Sequence, residues 1–204
     1  MEHAKMIKTA KGLDMLFKIT QRIIAVVIPV MLVLMIALTI ANAVNPGVVI
    51  GEDFHLVDLG GFTFELEPGH IPDNATVLRS AWIMAAFATL SAAAMWYAFA
   101  QLRKLLAPMK EGLPFCDATC EALGRLSWCA VIMGVIANIG AAVETASLMN
   151  IYQLRELLAG GAIVSISPNF TFELDFLVVF FVLQLVRYIF RYGTQLQQLS
   201  DETL

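Results

Sequence analysis

The sequence predicts an all-α membrane protein. It has four transmembrane helices with both termini cytoplasmic, and a small extracytoplasmic β-containing cap built from its two outer loops. Three observations predict this. Hydrophobic residues make up 59% of the 204 residues and charged residues only 15%, outside the usual balance of a soluble domain. The apolar residues gather into four runs, each near the ~20 residues that cross a bilayer core. The cations cluster in the segments that four crossings place on one side, as the positive-inside rule requires. Helices satisfy their own backbone groups in lipid, which an open sheet does not.

The chain is read as one integral membrane domain over 1–204. Residues 1–22 form a cationic cytoplasmic segment with Lys5, Lys8, Lys11, Lys18 and Arg22. Within it Met6, Ala10, Leu13, Phe17 and Thr20 recur at steps of three or four, the pattern of a short amphipathic helix on the inner leaflet. The first span covers 23–45. Ala41-Asn42-Ala43 has the small-x-small form of a cleavage site. The apolar run before it exceeds the 7–15 residues of a signal peptide, so the segment reads as a retained anchor. Pro29 predicts a kink inside the span, and Asn45-Pro46-Gly47 predicts its end.

The first outer loop covers 46–78. Val48–Ile50 and Phe62–Leu66 have strand character, with Gly60-Gly61 as a turn beside the second. A near-copy, Phe170-Thr171-Phe172-Glu173-Leu174, stands before the last span, and Ile163–Ile166 alternates like a strand. The first copy leads into a polar stretch and the second directly into a helix, which favours strand pairing or chance over a repeat. The second span covers 79–102 and the third 126–150. Ala88 and Ala92, Ala94 and Ala98, Ala130 and Gly134, and Ala137 and Ala141 are each four apart. Such spacing lets helix backbones approach closely. It predicts a hairpin of spans two and three, or else a homodimer.

Between them, 103–125 is a cytoplasmic loop carrying Arg103, Lys104, Lys110 and Arg125. Leu102–Met109 is expected to continue the second helix into the cytoplasm, Pro108 and Gly112-Leu113-Pro114 to break it, and Cys116 or Asp117 to start the next. The second outer loop covers 151–170, the fourth span 171–192 and the polar cytoplasmic tail 193–204. The outer acids Glu52, Asp53, Asp58, Glu65, Glu67 and Asp73 explain how a net charge of −4 coexists with a basic inner side. No surface is basic beyond what topology explains, so direct nucleic-acid binding is not expected.

Two stretches carry a resemblance. One is Leu102-Arg103-Lys104-Leu105-Leu106, then Gly112-x-Pro114-Phe115, then Leu123-Gly124-Arg125-Leu126. The other is Ile189-Phe190-Arg191-Tyr192-Gly193, then Leu196-Gln197, then Ser200-Asp201-Glu202-Thr203-Leu204. Together, and with the four-span layout, they resemble the DUF2975 family of bacterial membrane proteins. The sequence departs from that pattern at Cys116, where the family usually has a Ser-like cap; a thiol is a poor acceptor. The resemblance implies a bacterial inner-membrane protein of unknown function. Some members are encoded beside a small helix-turn-helix regulator, which implies a membrane partner that holds or releases it.

Chemistry-bearing residues are few. Cys116 and Cys120 share a helix face, but structural zinc needs about four ligands and only His3 accompanies the thiols on that side. Reduced thiols are expected there. His55 and His70 stand among outer acids at no ligand spacing. No catalytic, metal or cofactor motif is present, so a non-enzymatic protein is expected. Arg187 and Arg191, one helical turn apart, read as inner-leaflet snorkelling cations or as a clamp for an anionic lipid or a partner acid.

The leading expectation is a membrane scaffold or sensor that engages a small cytoplasmic partner. Its candidate contact residues are Arg103, Lys104, Pro114, Phe115, Arg191, Gly193, Asp201 and Thr203. The alternative is a small transporter or ion-coupled carrier using the intramembrane polar residues Asn138 and Glu144.

Overall fold

The computed structural model describes residues 2–45, 56–59, 62–65, 72–111, 116–153 and 170–202. Four long helices dominate it: α1 (Glu2–Val44), α2 (Asn74–Lys110), α3 (Asp117–Ile151) and α4 (Asp175–Glu202). Each contains a stretch long and apolar enough to cross a membrane. The chain is a multi-pass helical membrane protein.

The helices are longer than the spans they contain. At about 1.5 Å per residue, the 43 residues of α1 reach roughly twice the thickness of a bilayer core. The predicted separate amphipathic segment is therefore absent; residues 2–22 continue into the span as one helix. Pro29 lies inside α1, and α1 ends at Val44, where Asn45 N–H donates to the Ala41 carbonyl at 2.9 Å. α2 runs past the second span to Lys110, one residue beyond the expected Met109. Pro108 sits in its last turn, and its carbonyl accepts Glu111 N–H at 3.0 Å. A proline that late forfeits one donor but leaves the following carbonyls free to close a turn. The predicted tail is helical as far as Glu202.

The start of α3 shows how the chain manages without a Ser cap. The Cys116 carbonyl accepts Thr119 N–H at 3.1 Å and Cys120 N–H at 3.3 Å, and Asp117 places a carboxylate in the first turn. Cys116 Sγ and Thr119 Oγ1 lie 3.2 Å apart. The helix dipole thus finds its anion in Asp117 rather than in a capping hydroxyl.

A small antiparallel hairpin, β1 (Leu56–Leu59) with β2 (Phe62–Glu65), pairs Leu56 with Glu65 and Leu59 with Phe62. The strand at β2 matches the sequence expectation; β1 was not anticipated. The partner of β2 is β1 rather than the near-copy at 170–174, which is irregular chain leading into α4. Val48–Ile50 and Ile163–Ile166 lie outside the described residues.

The described chain divides into two compact units. One gathers Met1–Ile28, Thr89–Ala137 and Phe172–Leu204; the other gathers Pro29–Ala88 and Asn138–Thr171. In the second unit, Trp82 Nε1 donates to Thr39 Oγ1 at 2.9 Å, tying α2 to α1. Gly140 faces Phe87 of α2 at van der Waals distance.

The first unit holds most of the buried residues: Ala10, Gln21, Gln101, Leu106, Thr119, Cys120, Ala122, Leu123, Ser127, Cys129, Ile136 and Thr194. The apolar spans, by contrast, expose Ile23, Val26, Val30, Val33 and Leu34 of α1 and Val178, Phe181, Val182 and Leu185 of α4. In water that surface would drive aggregation. In lipid it carries no cost, because acyl chains are as apolar as the side chains they touch.

Of the small residues on α3, Gly134 faces Phe176 of α4, while Ala137 and Ala141 are exposed.

Candidate functional site

The polar ends of α1 and α2 meet through a charged cluster within the first unit. Ala10, Asp14, Phe17 and Gln21 succeed one another at steps of four, three and four, so they share one face of α1. That face lies against α2. Phe17 packs on Phe99 with ring centroids 5.5 Å apart. Asp14 bridges two cations: Arg103 Nε donates to Oδ1 at 3.0 Å and Lys110 Nζ to Oδ2 at 2.9 Å. Arg103 Nη1 also donates to Gln21 Oε1 at 3.0 Å, and Gln21 Nε2 donates to the Trp96 carbonyl at 3.0 Å. Each polar atom of the face is thus answered by another, which is what makes its burial tolerable.

The hydrogen bond from Lys110, and secondarily that from Arg103, holds the Asp14 carboxyl below the ordinary carboxylate range, against an opposing effect of burial. Asp14 lies among Lys8, Lys11 and Lys18, ahead of the nearly unbroken apolar run that starts at Ile23. A depressed folded-state pKa adds stability above the unfolded value of about 3.9 and loses it as pH falls through the folded value. Thermal melting of the purified protein across acid pH checks this. The wild type should lose more midpoint than Asp14→Asn as pH drops below about 4, because only the wild type has that carboxylate to protonate.

Beside the cluster, a cavity of about 510 Å³ opens between α2 and α3. Its walls include Gln101, Lys104 and Glu111 from α2, Cys116 ahead of α3, and Glu121 and Arg125 from α3. Arg125 Nη2 donates to Glu121 Oε2 at 3.1 Å, an exposed pair one turn apart and weak on that account. Gln101 is only 1% exposed, and its Oε1 has no hydrogen-bond partner among the described residues. A buried amide oxygen left unanswered costs about 1–3 kcal/mol.

The predicted contact residues separate on this framework. Arg103 is taken up by Asp14 and Gln21, so it holds α1 to α2. Lys104 and Arg191 are exposed, and neither has an acid partner among the described residues. Gly193 is half-buried in α4, and Asp201 lies in its last turn. Pro114, Phe115 and Thr203 lie outside the described residues. Glu144 is exposed on α3 and does not line this cavity, and Asn138 is half-buried on the same helix. His55 and His70 lie outside the described residues.

A family model described as "Protein of unknown function (DUF2975)" matches residues 71–204. The chain belongs to the DUF2975 family. The match takes in both walls of the cavity, α2 and α3, together with α4, and starts after α1. No curated protein and no solved structure matches the chain. The LRKLL stretch of the family resemblance now divides by role: Arg103 turns to α1, Lys104 to the surface, and Leu106 into the core.

Asp14, Gln21 and Gln101 were missed by sequence reasoning. A signal for the first two existed. An acid and an amide two turns apart, with an aromatic between them, mark a face as a packing face even though it is not apolar. Gln101 offered no such signal, because its burial depends on α3.

Proposed function

We propose that this DUF2975 protein is a non-enzymatic membrane scaffold or sensor whose polar end engages a small acidic cytoplasmic protein, such as a helix-turn-helix regulator. One observation carries the reading. Arg103 and Lys110 are answered within the fold, whereas Lys104 and Arg191 stand exposed without an acid partner among the described residues. Unanswered cations on a rigid helical frame recognise an acidic partner by charge complementarity. The adjoining cavity offers a recess for a partner side chain. The reading places the protein in a bacterial cytoplasmic membrane with both termini inside, in keeping with its cation distribution. The outer loops, the β1–β2 hairpin included, then form a small cap on the opposite side.

A photoreactive residue at Ala107, which is exposed on the cavity wall, tests this in native membranes, with a second at Gln197. One small cytoplasmic protein should crosslink at both positions, and the crosslinks should disappear with Lys104→Glu or Arg191→Glu. Arg103→Glu is a poor probe, because it breaks the tie to Asp14. Recovery of lipid and further copies of the chain alone would refute the scaffold reading.

A further inference from the structure

Arg187 sits near the middle of α4, half-buried, and no carboxylate lies within ion-pair distance of it among the described residues. Its one described acceptor is Gln184 Oε1, at 3.4 Å from Nη1. That glutamine is itself fixed. Its Nε2 donates to Ser127 Oγ at 2.9 Å, and Ser127 Oγ donates to the Gly124 carbonyl at 2.8 Å. Ser127 is fully buried, so the chain of bonds is anchored in the α3–α4 seam.

Gly124 completes the arrangement. A Cβ there would lie 2.9 Å from Arg187 Cζ and 3.1 Å from Nε and Nη1. The guanidinium therefore lies on bare α3 backbone, held in place but without a counter-ion. A partly desolvated cation in that condition calls for an anion.

The same guanidinium lines a recess of about 440 Å³. Arg125 and Glu121 stand at its edge, and their exposed pair is weak enough to be rearranged. Two guanidiniums and one carboxylate leave a single positive charge over. Tyr97 and Trp128 flank the recess, both exposed, the type and placement of interfacial anchors. From Trp128, 60% exposed, an apolar track continues along α3 through Ile132 (53%) and Val135 (39%) into the span.

We propose that this recess binds one anionic phospholipid. Its phosphodiester sits between Arg187 and Arg125, and one acyl chain runs along Trp128, Ile132 and Val135. A phosphodiester carries one negative charge, which matches the one cation in excess, and its paired oxygens fit a guanidinium fork. The acyl track favours a lipid over a free phosphate.

Native mass spectrometry of the full-length protein tests this in detergent with equal amounts of phosphatidylglycerol and phosphatidylcholine. The wild type should retain phosphatidylglycerol preferentially, one per chain. Arg187→Gln should cut that preference roughly tenfold, the scale of one lost charge-assisted contact. Arg125→Gln should cut it less; since its pair is exposed, this variant also covers the case in which Arg187→Gln does not fold. A large excess of inorganic phosphate should leave the lipid in place. Equal retention of the two lipids, a preference untouched by both substitutions, or displacement by inorganic phosphate would each overturn the proposal.

Discussion

Asp14→Ala lowers the stability of the folded protein by about 2–3 kcal/mol, less than the 3–5 kcal/mol of a fully buried pair. The discount comes from exposure. The Asp14 side chain is 21% exposed, and those of Arg103 and Lys110 are 35% and 27% exposed, so water screens part of the interaction. The loss is nonetheless large for one carboxylate, because two cations lose their partner together. Arg103 retains only Gln21 Oε1, and Lys110 retains no described acceptor. Thermal or denaturant unfolding in detergent measures the effect. Arg103→Ala in the Asp14→Ala background should cost less than Arg103→Ala alone, since the two share one interaction. Full additivity would show that the cluster does not hold α1 to α2.

Gly134→Ala should destabilise the α3–α4 seam by about 2–3 kcal/mol, the scale of an overpacked core. Two effects compete at this position. An alanine gains about 1 kcal/mol of helix propensity over glycine. Against that, its Cβ would fall inside the van der Waals contact of the Phe176 side chain, Cβ as well as ring. A clash that includes Cβ is not relieved by rotating the ring; the helices must separate, so the steric cost wins. Phe176→Ala in the Gly134→Ala background should restore part of the loss relative to the sum of the single changes. A melt of Gly134→Ala at or above the wild-type midpoint would mean that propensity dominates and the contact is loose. Gly124→Ala is the milder case, because the atoms it meets belong to the far end of Arg187, which can move. Its effect falls on the lipid recess more than on the fold.

The membrane reading was legible because lipid imposes its constraint residue by residue. A 20-residue apolar run needs no tertiary partner to become a helix, since an unsatisfied backbone costs too much in hydrocarbon. Charge placement gave an expected topology in the same local way. The helix ends were harder to place. Residues 1–22 read as a short surface helix, yet residues 2–22 are the first part of α1. There Asp14 and Gln21 are held by α2, a partner that periodicity along one helix does not contain.

The four helices, the start of α3 at Asp117 and the end of α1 before Pro46 were determined by the sequence alone, because hydrophobic length and backbone capping act within a few turns. Which polar groups answer one another was decided only by the tertiary structure. Lys104 and Arg103 are neighbours of similar charge, but one faces the surface and the other reaches a carboxylate 89 residues away. Gly134 and Gly124 read alike as small residues, but one admits an aromatic ring and the other a guanidinium. Such differences arise when helices distant in sequence come into register, because only then does a buried charge or a missing Cβ acquire a partner.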